Sequence, residues 1–252
     1  MKILVSYFSR TGNTERLARA IGDALQARGH ALEWDAITPS VHYSWTREVA
    51  RDLPRYASIL WSLASPRWRQ HHIETYCQVE EDIRPLRFPD VSGFDLLCIG
   101  GPKWAQISYP VARYLQTVRG IRGKRVGSFA TFGGPPLKVF ELELLEKPMA
   151  RLLGRMGAQV VTSLGVSSGF HEASIMPLFR IVSRRKFDRP IEDFMLGSQY
   201  ASAGIERFCN ELLAAGSAET GPGRDLPSTP SSAGTQGLRS GNEEGDGHAE
   251  VQ

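Results

Sequence analysis

Residues 1–22 read MKILVSYFSRTGNTERLARAIG. Lys2 to Phe8 is short, apolar and rich in β-branched and aromatic residues, which predicts a buried strand. Leu17, Ala18, Ile21, Ala24 and Leu25 then recur at helical spacing, and Gly29 is a natural stop. Between strand and helix lies a six-residue polar loop, Ser9-Arg10-Thr11-Gly12-Asn13-Thr14. One capping residue is enough to start a helix. A run of hydroxyls around a glycine asks for another explanation.

The first backbone N–H groups of a helix have no partner within it, and the helix dipole adds positive charge at that end. An anion is held there readily. Hydroxyls on Ser9, Thr11 and Thr14 add donors, and Gly12 allows the backbone to approach closely. Arg10 is the loop's lone cation, so the donors are mostly neutral, which suits a single phosphomonoester. The chain has neither GxxxxGK[ST] nor GxGxxG, which argues against a triphosphate or dinucleotide site.

Further along, 31–37, 94–102, 125–134 and 158–166 read as strands. Helical patterns fall at Pro110 to Val118, Phe140 to Met156 and Gln199 to Ala215. This alternation predicts an α/β fold: a doubly wound, five-stranded parallel sheet in the order 2-1-3-4-5. Two stretches exceed that plan, 41–89 and 170–197. The chain therefore divides into a domain over 1–216 that carries both insertions, and a tail over 217–252. The tail is rich in Gly, Ser, Pro and acidic residues and has too few apolar side chains to bury a core.

Composition narrows the function. The chain has 252 residues, 41% hydrophobic and 23% charged, with no apolar run long enough to span a bilayer and no signal-peptide pattern. Cys77, Cys98 and Cys209 are widely separated, so neither a disulfide framework nor a metal knuckle is expected, and a reducing cytoplasm is the default. His42, His71 and His72 lack metal-ligand spacing, and no metal is expected. The net charge is +3, but two basic and six acidic residues from Ser217 on give the tail −4 and leave +7 for the rest. The basic residues match no nucleic-acid recognition motif, and GxSxG is absent.

The segment SYFSRTGNTERLA resembles the phosphate loop of the flavodoxin family, [ST]-x-T-G-x-T after the first strand, at Ser9, Thr11, Gly12 and Thr14. IGGPKWAQISYP, after the third strand, resembles the family's G-x-P-x-aromatic loop. There Gly100, Gly101 and Pro102 are read as a tight turn, and Trp104 as a ring that stacks on the flavin. ATFGGPP, after the fourth strand, resembles the second flavin loop. The resemblance implies FMN as cofactor, with Ser9 to Thr14 on its phosphate. Pro102, Lys103, Trp104, Ala105, Thr131, Phe132, Gly133 and Gly134 would line the ring. Lys103 is read either as a cation beside the ring or as a solvent-facing lysine.

The function this implies is an FMN-dependent oxidoreductase that transfers electrons to a small quinone-like acceptor, with NAD(P)H as one candidate donor. The alternative is a flavodoxin-type carrier that works between redox partner proteins. The basic body departs from the acidic surroundings usual in such carriers. In the first insertion, Val49, Ala50, Leu53, Tyr56, Ile59, Leu60 and Leu63 fall at helical spacing beside Arg47, Arg51 and Arg55. The segment 41–89 is therefore a candidate lid over the flavin, or a peripheral membrane contact.

Overall fold

A computed structural model describes residues 1–41, 65–75, 81–103, 107–168 and 176–217, with isolated helical positions at 47, 50, 53, 61 and 64. The helix expected from Thr46 to Leu63 and the tail from 218 lie outside the described residues, as do Trp104 and Ala105.

Five strands form one parallel sheet: β1 (Lys2–Tyr7), β2 (Ala31–Ala36), β3 (Leu96–Pro102), β4 (Arg125–Phe132) and β5 (Gln159–Ser167). Their order is β2-β1-β3-β4-β5, as the strand spacing predicts, and every neighbouring pair is parallel. Helices follow the strands: α1 (Asn13–Gln26), α2 (Pro66–Thr75), α3 (Tyr109–Thr117), α4 (Leu144–Arg155), α5 (Met176–Phe187) and α6 (Gln199–Ser217). A π-helical turn, Lys138–Glu143, precedes α4, and a 3₁₀ turn, Ile191–Phe194, precedes α6.

The central strands are buried on both faces, which is why they read as continuous apolar runs. On one face Ile3, Val5, Cys98, Phe129 and Val166 pack against Leu17, Ile21 and Leu25 of α1 and Ile205, Phe208 and Leu212 of α6. On the other, Leu4, Leu97, Ile99 and Val126 pack against Val111, Tyr114 and Leu115 of α3 and Met149 and Leu153 of α4. Two polar links fix the layers. Ser6 Oγ and Tyr114 Oη share a buried hydrogen bond of 2.9 Å, and the buried Asp35 carboxylate accepts from the Arg87 and Phe88 amides.

Where the first insertion is described, α2 begins at Ser65, whose Oγ accepts from the Trp68 amide while Pro66 opens the helix. The second insertion contributes α5, a helix absent from the sequence expectation. Asp188 ends it at φ +53, with its amide bonded to Arg184 O. Among the described residues no helix is long and apolar enough to cross a membrane, and no group of His, Cys, Asp and Glu is placed to hold a metal ion.

Candidate functional site at the carboxyl ends of the strands

The order 2-1-3-4-5 reverses direction between β1 and β3, and a ligand in such a sheet binds beyond the strand ends at that point. The loops after β1, β3 and β4 meet there. The Phe8 amide donates to Gly100 O at 3.0 Å and the Lys103 amide to Thr131 O at 2.7 Å, so the three loop bases are tied together by backbone.

In the first loop, Gly12 stands at the N-cap of α1 with φ +82, and no side chain caps the helix. A Cβ there would meet nothing within 4 Å, so the glycine serves the left-handed backbone rather than packing. The Arg16 amide is the first to find a helical carbonyl, Gly12 O at 2.9 Å. The preceding helical amides have no carbonyl one turn back. Ser9 Oγ is buried and has no hydrogen-bond partner among the described residues. An orphaned buried hydroxyl is costly unless something completes it. Thr11 is exposed and accepts from Asn13 Nδ2 at 3.1 Å, and Asn13 Oδ1 accepts from Arg16. Thr14 is buried and shares a 2.8 Å bond with Thr131 Oγ1. That bond uses one of the pair's two hydroxyl hydrogens and leaves the other for a further acceptor. It also locks the first loop to the third.

Gly100, Gly101 and Pro102 are not a turn. They are the last residues of β3, in register with Phe129, Ala130 and Thr131. The two glycines' lack of side chains serves packing: a Cβ on Gly100 would lie 2.3 Å from the Phe129 ring, and one on Gly101 2.6 Å from Ser108 Oγ. Ser108 opens α3 without capping it, and its buried Oγ also has no partner among the described residues. Ser167 Oγ, at the end of β5, is a third such hydroxyl at this edge.

Lys103 is not a surface lysine. Its side chain is 5% exposed and its Nζ lies 3.0 Å from a Glu141 oxygen, itself 4% exposed. The ammonium also sits 4.7 Å from the centre of the Phe140 ring. Both partners come from the π-helical turn, where the Glu141 and Leu142 amides both donate to Leu137 O. Such a turn carries one extra residue, which re-aims the side chains that follow. Gly134, in the third loop, makes room for this arrangement: a Cβ there would meet Glu141 Oε1 at 2.8 Å and the Phe179 ring of α5 at 3.2 Å. Gly133 is half-buried, while Phe132 and Thr131 are buried.

The Lys103–Glu141 pair cancels itself. Burial, then the Glu15 carboxylate, pushes the Tyr7 phenol up, so it stays neutral at the end of β1. Glu141 and Phe179 are the residues the sequence concealed. Glu141 stands in the helical run VFELELLE, where it reads as an ordinary surface acid, and Phe179 lies in an insertion with no matching motif.

No family model matches the chain, and neither does any curated protein sequence. Solved structures are similar to it in fold. A flavodoxin from the domain Archaea is 12% identical, over 86% of this chain and 99% of that one, with a TM-score of 0.47. Oxidised flavodoxin 2 from Bacillus cereus is 14% identical over 85% and 99%, at 0.46. A flavoprotein in complex with FMN from Lactobacillus acidophilus is 18% identical over 65% and 92%, at 0.43. Likeness at this level adds nothing to the site, and the fold stands on the order and register of the sheet itself.

Proposed function

We propose that this chain is an FMN-dependent oxidoreductase that passes electrons through its flavin to a small, quinone-like acceptor. The observation that carries the proposal is the first loop: a buried, unpartnered Ser9 Oγ beside a left-handed Gly12 and an uncapped helix start, at the switch point of the sheet. These are neutral donors in the number and place that a phosphomonoester needs, and they fit the flavin's terminal phosphate.

Ser9, Thr11 and the amides that open α1 would hold the phosphate. Thr14 and Thr131 would keep that loop against the ring-binding loops, and Pro102, Lys103 and Phe132 to Gly134 would border the ring. When bound, FMN supplies acceptance and release of one or two electrons. The chain's own contribution is position and electrostatics. Glu141 holds Lys103 in place and offsets its charge, so the pair brings little net charge to the ring's side of the site. The packing of Glu141 and Phe179 against Gly134 of the third loop supports a substrate-binding enzyme over a carrier, whose flavin edge must stay open to a partner protein.

The test is anaerobic. The purified protein should show the absorption bands of oxidised flavin, bleach with NADH or NADPH alone, and recover on addition of a soluble quinone. Bleaching only through a partner reductase would favour the carrier. Absence of flavin that FMN cannot restore would overturn the proposal.

A further inference from the structure

We propose that α5 docks this protein on an anionic phospholipid bilayer. The helix reads MPLFRIVSRRKF, with four basic residues, no acidic ones, and its cations gathered in the last turn. Its inward side is fixed by Ser183, which is fully buried and bonds to Arg189 O, and by Phe179, which packs over Gly134. One hundred degrees of turn per residue then places Leu178, Ile181 and Arg185 together on the opposite side, with Arg184 beside them. The exposures agree: Leu178 and Ile181 are 54% and 52% exposed, among the few large apolar side chains left in solvent.

The charges on this face are available. Arg180 is held by Glu192, whereas Arg184 and Arg185 form no ion pair among the described residues. Two aliphatic side chains beside two adjacent arginines, Arg184 and Arg185, match an anionic lipid surface. The aliphatic groups can enter the acyl boundary while the cations meet the headgroup charge. A protein partner would need a groove to receive the helix and acids placed to match, and a bilayer needs neither. The exposed Trp68 of α2 adds an interfacial residue on the other insertion. Both insertions reach this region, since Phe179 lies over Gly134 and α2 packs on α4, which continues from the π-helical turn. The docking face therefore borders the carboxyl edge of the sheet.

The inference goes beyond the flavin proposal and does not depend on it. It is tested by cosedimentation of the full chain with phosphatidylcholine vesicles, with and without phosphatidylserine. The protein should pellet with the anionic vesicles, stay in solution with the neutral ones, and be released by high salt. Arg184→Gln/Arg185→Gln should lower partitioning by about fivefold per charge. Leu178→Ser/Ile181→Ser should lower it by about tenfold or more. Both variants change exposed side chains, and circular dichroism should show them folded. Arg155→Gln, an exposed residue at the opposite edge, should bind as the parent does. Absence of binding, equal binding to both vesicles, or wild-type binding by both α5 variants would overturn the inference. Equal loss in Arg155→Gln would also overturn it, because net charge rather than this helix would then be responsible.

Discussion

Replacing Glu141 by Met should destabilise the protein severely, and adding Lys103→Met should restore it. The two groups lie 3.0 Å apart and are almost wholly removed from water. At an effective dielectric of about 20 their attraction is about 5–6 kcal/mol, a gross figure that desolvation of both ions largely offsets. Glu141→Met removes the attraction and keeps the desolvation, leaving Lys103 with only the Phe140 face, so the expected cost is about 3–5 kcal/mol. For a domain of this size that is about 6–20 °C in Tm. Lys103→Met should cost a similar amount by stranding the carboxylate. The double variant puts two apolar side chains of similar length into one space and should lie within about 1 kcal/mol of the parent. Urea unfolding of all four proteins, followed by circular dichroism, closes the cycle. If Glu141→Met costs less than about 1 kcal/mol, or if the double variant shows the sum of the two losses, the pair does not hold the turn as described.

Further outcomes attach to particular residues. Ser9→Ala should leave stability of the flavin-free protein unchanged or slightly higher, because its hydroxyl has no partner among the described residues, while FMN affinity falls by about tenfold or more. A loss of stability without a change in affinity would show that the hydroxyl serves the fold instead. Gly100→Ala should cost about 1–3 kcal/mol in a urea titration, because its Cβ would meet the Phe129 ring at 2.3 Å, and a neutral result would contradict that packing. Burial pushes the Cys209 thiol from 9.0 up to about 11 and the Cys98 thiol higher still. In a Cys77→Ser background, neither should react with a disulfide reagent at neutral pH faster than the protein unfolds, and prompt reaction would refute their burial. The raised pKa favours the protonated thiol in the fold. The stability Cys209 contributes is therefore intact below pH 9.0 and is lost between 9.0 and about 11, where the unfolded thiol ionises first.

The sheet and its order were legible because parallel strands buried on both faces leave unbroken apolar runs, and Gly29 follows the end of its helix at φ +80 as expected. The loop from Ser9 to Thr14 was legible because its residue types exceed what a cap requires. Gly100 and Gly101 misled: a glycine pair before proline looks like a turn, yet here the missing side chains accommodate Phe129 and Ser108, which are distant in sequence. The Lys103–Glu141 pair was hidden for the same reason, since it depends on the crossover that brings β3 and the segment after β4 side by side. Helix α5 escaped notice because its apolar residues face outward as well as inward, which blurs the helical period.

The central claim is that the loop after β1 binds the phosphate of FMN. The most direct measurement is a titration of the flavin-free protein with FMN and with riboflavin, which lacks that phosphate, followed by flavin fluorescence. Two or more charge-assisted hydrogen bonds, each worth about 1.5–3 kcal/mol, predict that FMN binds at least about a hundredfold more tightly. Equal affinity for the two, or binding of neither, would contradict the account.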